Sequence, residues 1–422
     1  MRQMKDSGIE WVGDIPATWK TNTVFQLFTQ VKNKNTDLQE QNLLSLSYGK
    51  IKRRSIDTTD GLLPESFDGY NIIEADDIVL RLTDLQNDHK SLRVGLATER
   101  GIVTSAYLTI RNRSESLAKY LYYYLHSFDI AKGFYGMGAG VRQGLNWDGM
   151  KWLRILTPSV LEQQRIVAFL DSECDRIDAV IEQTRTSIEE YKKLKQAIIT
   201  QAVTKGICPD RPMKDSGIEW IGEIPSDWNA VQLKRIARIQ TGSTPSKTEN
   251  DKYYSQDSGY LWIKAEDLGT IKPIDKTTEY LTEDGIAAGR LFPPNTVFVC
   301  CIASVGKVGY CNTSASCNQQ INGLTFYNAY WKYGFYVTIA QEAEYINNAS
   351  GNVMKIINSD KQSRIMCPLP PIDEQHGIAD YLDEKCAYID ALIGKKEMLL
   401  SDLEKYKQSL VFEYVTGKKE VV

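Results

Sequence analysis

The chain has 422 residues, is 42% hydrophobic and 10% aromatic, and carries a formal net charge of −4. Those values fit a folded protein with room for two ordinary cores and exclude a disordered one. Runs of about 18 apolar residues, the length of a membrane helix, do not occur, and the opening MRQMKDSGIEW lacks the apolar centre of a signal peptide, so a cytoplasmic protein without a membrane span is predicted.

One passage is written twice. Met4 to Trp19 reads MKDSGIEWVGDIPATW and Met213 to Trp228 reads MKDSGIEWIGEIPSDW, with twelve of sixteen positions identical at an offset of 209. A second echo follows at an offset of 212, where Pro158, Glu162, Gln163, Leu170, Asp171, Cys174, Ile177, Asp178 and Ile181 return as Pro370, Glu374, Gln375, Leu382, Asp383, Cys386, Ile389, Asp390 and Ile393. The chain is therefore two copies of one unit, each a globular body followed by a long helix. The frames repeat and the bodies between them diverge, which predicts two similar modules with two different targets.

The first body spans 1–158. Asp77–Leu82 and Val103–Ile110 alternate as strands do, and Leu117–Phe128, with KYLYYYLH, reads as an aromatic helix. Tyr120 and Tyr122–Tyr124 could stack on bases, but one face of a core helix is the simpler reading. The first long helix covers 159–205. Its apolar positions Ile177, Ile181, Ile188, Tyr191, Leu194, Ile198 and Ala202 step by threes and fours, with Thr184 as a polar break. Residues 206–212, with Gly206 and two prolines, form a linker. The second body, 213–370, offers a buried strand at Thr296–Ile302 after the Pro293-Pro294 turn, and a helix at Tyr330–Ile346. The second long helix covers 371–417, with its seam at Ile389, Ile393, Leu400, Leu403, Tyr406, Leu410 and Tyr414 and a break at Lys396. The fold class is α+β: two mostly β bodies with added helices, separated by two long antiparallel coiled-coil helices.

Each seam needs a partner to bury it. The matching seams predict that the helices pair with each other as a spacer of about 60 Å; separate packing on each body is the alternative. Ser159-x-x-Glu162 reads as a capping box and Asp373 as a cap of the second helix. Gly206 and Gly417 stand where left-handed C-caps fit. Trp11 and Trp220 read as anchors of the repeated segments. Glu189, Glu190, Lys192 and Lys193 form a charged helix face, either solvated or a docking surface.

Recognisable bond chemistry is missing. Gly306-Lys307 lacks the upstream glycine of a phosphate-binding loop, and Gly136–Gly140 lacks a dinucleotide-binding context. No serine-hydrolase elbow, zinc-protease motif or amino-methyltransferase motif is found. Eight cysteines without a C-x-x-C pair and three scattered histidines, His89, His126 and His376, argue against a metal site. Cys174 and Cys386 hold matching helix positions and read as small buried apolar groups.

This organisation resembles the specificity (HsdS) subunit of type I restriction–modification systems. The resemblance covers nearly the whole chain. It is carried by the duplicated SGIEW-x-G-x-IP-x-x-W segment, by Glu-Gln at 162–163 and 374–375, and by Ile239–Pro245, Tyr260–Ile263, Leu291–Thr296, Ala303–Lys307 and Asn318–Gly323 in the second body. Leu44–Gly49, Asp77–Asn87 and Gly138–Gln143 in the first body are similar to another recognition-domain subtype. The resemblance implies that each body reads one half of a split double-stranded DNA target, and that the helices set the unread gap and dock two methyltransferase subunits. Restriction motor-nuclease subunits would join them. S-adenosylmethionine, ATP and Mg are expected in those partners and none in this chain. The dissimilar motifs imply half-sites that differ, so the full target is asymmetric.

Arg, Asn and Gln make bidentate base contacts worth about 1–3 kcal/mol of discrimination, and Lys and Arg hold phosphates. The phosphate candidates are Lys50, Lys52, Arg53 and Arg54, with a solvated turn as the alternative. The base-edge candidates are Arg81, Gln86, Asn87, Lys90, Arg142 and Gln143. In the second body the comparable set is Thr241, Ser243, Thr244, Lys247, Lys264, Ser304, Lys307, Gln319, Gln320, Asn352 and Lys355. A coiled-coil adaptor without DNA contact, and an enzyme with an unrecognised site, are the rival readings; the net charge favours the adaptor slightly.

Overall fold

The computed structural model describes residues 2–56, 66–85, 87–88, 91–138, 144–351 and 354–421. It divides into two compact units. Unit one is Met1–Thr184 with Met398–Val422, and unit two is Arg185–Glu397. Each unit thus contains one body and a stretch of each long helix, Val160–Lys205 and Ile372–Val415.

Both units begin with the repeated segment folded as a small antiparallel hairpin, Met4–Asp6 with Asp14–Pro16 and Met213–Asp215 with Glu223–Pro225. The next strand pairs antiparallel with the one that precedes the long helix. These pairs are Lys20–Thr23 with Arg154–Thr157, and Asn229–Gln232 with Met366–Leu369. Each body then holds a four-stranded antiparallel sheet of one topology. In unit one its order is Phe28–Gln30, Leu108–Asn112, Ile78–Leu80, Val94–Leu96; in unit two it is Ala237–Thr241, Ile321–Phe326, Val297–Cys300, Val308–Tyr310. Unit two adds a second four-stranded sheet, in which Tyr260–Ile263 runs parallel to Ala315–Cys317.

The same bonds hold a short helix of each body, Ala118–Ile130 and Trp331–Ala340, to the long helices. Tyr120 donates to the carbonyl of Val415 and Tyr333 to that of Val203. Tyr123 and Lys119 share Asp171 as Tyr336 and Lys332 share Asp383. The Gln163 side chain accepts from Leu117 N–H and donates to Pro158 C=O, and Gln375 does the same with Tyr330 and Pro370. Trp19 and Trp228 are almost completely buried. Gly206 and Gly417 have φ of +77° and +71° and close the helices, each against one of these tryptophans. A side chain there would be strained whatever the space.

The long helices pair antiparallel within each unit. In unit one Phe169 meets Tyr414 and Asp178 meets Lys407; in unit two Tyr191 meets Lys396 and Lys195 meets Asp390. Ile177, Ile181, Ile188, Ile389, Ile393 and Leu410 are buried in the seams as expected, while Tyr191, Ile198, Leu400 and Leu403 are half-buried. Leu194 and Tyr406 are not seam residues: they are 48% and 55% exposed. The neighbouring lysines take their places, with Lys195 Nζ 2.5 Å from Asp390 and Lys407 Nζ 2.6 Å from Asp178. The physical reason is helical drift. A straight helix turns every 3.6 residues, so an apolar stripe counted in steps averaging 3.5 rotates out of the interface. Thr184 is buried rather than a break, because its hydroxyl donates to Val180 C=O at 2.7 Å.

Three further expectations change. The alternating run Val103–Ile110 contains a turn at Thr104–Tyr107 between two strands, closed by Tyr107 N–H on Thr104 C=O. The helix expected over Tyr330–Ile346 breaks at Gln341, whose buried amide donates to Met366 C=O and so joins it to the last strand. Asp373 is the second residue of its helix, not its cap, and the Pro371 carbonyl accepts from Glu374 and Gln375 N–H. Ser159 accepts from Glu162 N–H at 3.3 Å, one half of the expected capping box, while the Glu162 carboxylate bonds Arg2.

Candidate nucleic-acid interface

The basic residues of unit one are mostly committed. Arg53 grips Glu99 through Nε and a terminal nitrogen, which holds the Glu99 carboxyl below its usual range. Arg100 bonds Glu40 and Glu74, and Arg111 bonds Asp77. The four phosphate candidates lie on or beside one hairpin, Leu44–Ser47 with Lys50–Arg53. Lys50, Lys52 and Arg54 are exposed on it; Lys50 Nζ lies 3.9 Å from Asp178, and among the described residues Lys52 and Arg54 have no side-chain partner. The structure therefore keeps three of the four phosphate candidates available and spends the fourth, Arg53, on an internal ion pair.

The base-edge candidates Arg81 and Asn87 lie on one loop. Arg81 approaches Asp88 at 4.0 Å, and Asn87 Nδ2 donates to Asp84 Oδ1 at 2.8 Å. Gln86, Lys90, Arg142 and Gln143 fall outside the described residues, as does Asn352 of unit two. The loop is held from beneath by Arg93, which the sequence suggests only as another surface cation. Its guanidinium is fully buried and donates to the carbonyls of Arg81, Thr83, Asp84 and Asp88 at 2.5–3.3 Å and to the Tyr135 hydroxyl at 3.2 Å. A guanidinium presents five donors in a rigid fork, which suits it to collecting carbonyls in this way. Its own backbone N–H bonds Asp129, whose carboxyl is pushed up to about 6 by burial. One turn earlier on the same helix, burial pushes His126 down to about 4, assisted by the charge of Lys407.

Unit two gathers its candidates more tightly. Gly242 and Ser243 N–H bond Ile321 and Cys317 C=O; Cys301 N–H bonds Gln320 C=O; Ala303 N–H bonds Lys355 C=O, all at 2.8–3.0 Å. The loops bearing Thr241, Ser243, Thr244, Ser304, Lys307, Gln319, Gln320 and Lys355 therefore lie together. Thr244 bonds Gln319 directly, and Arg290 caps Thr241 C=O. Glycine is required at 242, since a Cβ there would stand 2.3 Å from Cys317 C=O. Gln362, fully buried, accepts from Asn322 at 2.6 Å and donates to Tyr345 at 3.2 Å beneath the same loops. Ser304, Lys307, Gln319, Gln320 and Lys355 are exposed. Such a set of amides, hydroxyls and ammonium groups can bond base edges and phosphate oxygens.

Lys247 and Lys264 form a second group. Both bond Glu279, at 3.1 and 2.8 Å, and the bond from Lys264 is the main reason that the carboxyl sits below its usual range. Lys247 Nζ lies 3.7 Å over the Tyr254 ring, and both ammonium groups are 5.1 Å from Trp262. They are more occupied than the sequence suggests, and Glu279 carries no signal in the sequence that would have paired it with them. Among the described residues no cluster of His, Cys, Asp and Glu fit to hold a metal occurs, and no helix is long and apolar enough to cross a membrane.

Comparison with known proteins agrees on one family. The family model described as type I restriction modification DNA specificity domain matches residues 225–399. The MjaX chain of Methanocaldococcus jannaschii, named for a type I restriction enzyme specificity subunit, is 26% identical over 432 residues, covering 97% of this chain and 96% of that one. The type I restriction enzyme EcoR124I/EcoR124II specificity subunit of Escherichia coli is 23% identical over 285 residues, 64% of each chain. A solved chain from work on complex assembly and conformational transition of the type I R-M system superposes with a TM-score of 0.72 at 17% identity, covering 96% of this chain and 99% of that one. That last likeness concerns the fold.

Proposed function

We propose that this chain, which belongs to the family of type I restriction–modification DNA specificity subunits, reads one asymmetric split DNA sequence with two bodies of different specificity. As a specificity subunit it is the non-catalytic, DNA-recognising member of its assembly. The observation that carries the finer reading is the contrast inside the chain. One set of frame bonds is built twice, and it supports loops with no residue pattern in common: a basic hairpin and an Arg93-clamped loop in unit one, and a packed cluster of amides and hydroxyls in unit two.

Two modest readers on one chain gain selectivity because the second engages at high effective concentration once the first is bound. The long helices set the number of unread base pairs, and their exposed faces, with Glu189, Glu190, Lys192 and Lys193, dock two methyltransferase subunits; restriction motor-nuclease subunits complete the assembly. S-adenosylmethionine, ATP and Mg belong to those partners. Lys50, Lys52, Arg54, Lys307 and Lys355 would sit on phosphates, and Arg81, Asn87, Thr244, Gln319 and Gln320 on base edges.

The test is a methylome. The chain is co-expressed with its cognate methyltransferase subunit and host DNA is sequenced for N6-methyladenine. A split, asymmetric motif that disappears without this chain supports the reading. An assembled complex that leaves no chain-dependent motif points instead to a protein–protein adaptor.

A further inference from the structure

Tyr48 stands at the tip of the basic hairpin of unit one. Ser47 pairs with Lys50, so Tyr48 and Gly49 are the whole turn, and both have positive φ, +47° and +76°. A two-residue hairpin of this kind requires positive φ at both centres and favours Asn-Gly or Asp-Gly, whose residues adopt it at little cost. Gly49 meets that need, and it also lets the turn lie close over Leu92 and His126. Tyr48 does not meet it: a bulky side chain with positive φ is uncommon and strained. The strain is not offset by packing. Tyr48 is 75% exposed, more than any other large apolar or aromatic residue described as exposed. Among the described residues its ring makes no aromatic or cation–π contact and its hydroxyl no hydrogen bond. Backbone strain held without a local return is a mark of functional positions.

The neighbours indicate what the ring meets. Lys50 and Lys52 follow it on the outgoing strand and Arg54 just past its end, all exposed, and Arg53 is drawn aside by Glu99. An unpartnered aromatic followed directly by cations matches a duplex, in which stacked bases lie between two rows of phosphates. Resting on the DNA-reading function proposed above, we propose that Tyr48 is a DNA-contact residue: its ring packs against one base step at the first half-site while Lys50, Lys52 and Arg54 hold the flanking phosphates. A ring pressed on a base step reads the ease with which that step unstacks, which gives selectivity at a position where no hydrogen bond is made.

The full chain is tested as wild type and as Tyr48→Phe, Tyr48→Ala and Tyr48→Asn, on duplexes carrying the motif found in the methylome, each with 2-aminopurine at one position. Wild type and Tyr48→Phe should raise the fluorescence of one step. Tyr48→Ala and Tyr48→Asn should abolish that signal and weaken binding roughly 5- to 100-fold, the range measured for single stacking aromatics. Tyr48→Asn should also raise the melting temperature by roughly 2–4 °C through relief of the turn. Stability and binding moving in opposite directions is the signature of a strained residue kept for contact. If wild type binds the duplex and Tyr48→Ala binds it equally well, the proposal is overturned and the DNA reading stands. If Tyr48→Ala keeps its DNA affinity but no longer co-purifies with the methyltransferase subunit, the tip is a protein-docking point and the proposal is again overturned. If wild type binds no duplex, the DNA reading itself falls and this proposal with it.

Discussion

In unit one Arg2 pairs with Glu162 beside Trp19, and in unit two Arg211 pairs with Glu374 beside Trp228; each guanidinium lies 5.7 Å from its tryptophan ring. The agreement continues through the tyrosines, the glutamines and the closing glycines. Beyond these bonds the units part. Unit one holds its loop at Arg81–Asp88 by a buried arginine that collects carbonyls, whereas unit two holds its loops by backbone bonds from one loop to the next. The lesson concerns separation of tasks. Frame bonds tie the long helices to a short helix of each body and to the tryptophan of each repeated segment, not to the loops that carry the candidate residues, so they hold each body without constraining loop sequence, and the loops are free to differ.

The comparison is sharpest at the tryptophans. Trp19→Ala and Trp228→Ala should each cost about 3–5 kcal/mol in denaturant unfolding. Trp228→Ala should cost more, because Trp228 Nε1 donates to Glu374 at 2.8 Å while Trp19 Nε1 has no partner among the described residues. A small cost at either position would break the equivalence of the frames. Next in size, Arg93→Met should cost roughly 2–4 kcal/mol by leaving carbonyls unpaired, and it should blur the first half-site in a methylome while leaving the second intact. Equal loss at both half-sites would deny that the clamp serves unit one alone.

Acid should also distinguish the units. His126 is neutral in the folded chain and titrates at about 4, below the ordinary value of about 6.5 that the unfolded chain shows. As pH falls the unfolded state takes the proton first, so this contribution to stability is complete above about 6.5 and is lost between there and 4, to a total of about 3 kcal/mol. Asp129, raised to about 6, opposes it: the folded chain takes that proton first, and stability rises as pH falls below 6. The two nearly cancel, so His126→Phe should turn a nearly flat acid response into a gain in local protection of unit one by hydrogen exchange. The difference that His126→Phe makes should be confined to unit one. An unchanged profile would remove His126 as the cause. The smallest effect is at the hairpin. Arg54→Ala should lower the salt slope of DNA binding by about one, as expected for one phosphate contact, and Arg53→Ala by less because Glu99 already holds it. Equal changes would mean that the Arg53–Glu99 pair opens on DNA.

Much of this architecture was legible in the residues. The duplicated segment, Glu-Gln at the helix starts and the apolar seams mark two units and two long helices, because frame residues act through local repeats and helical periodicity. The seam shifted at Leu194 and Tyr406, where a count of apolar residues cannot see that Lys195 and Lys407 bury their stems and find Asp390 and Asp178. The loops were legible only as residue types. Arg53 and Arg93 look alike in sequence, yet one is tied to Glu99 and the other is buried, since their partners come from elsewhere in the chain. Tyr48-Gly49 carries a local signal, an aromatic where a turn prefers asparagine, that becomes informative only when the tip proves to be exposed.

The most direct test of a shared frame with interchangeable readers is a body exchange followed by a methylome. Residues 20–157 are replaced by 229–369, so that both frames carry the body of unit two. The account predicts a stable chain whose methylated motif becomes symmetric, with the second half-site read twice on opposite strands. A folded, assembled chain that still methylates the original asymmetric motif would contradict it.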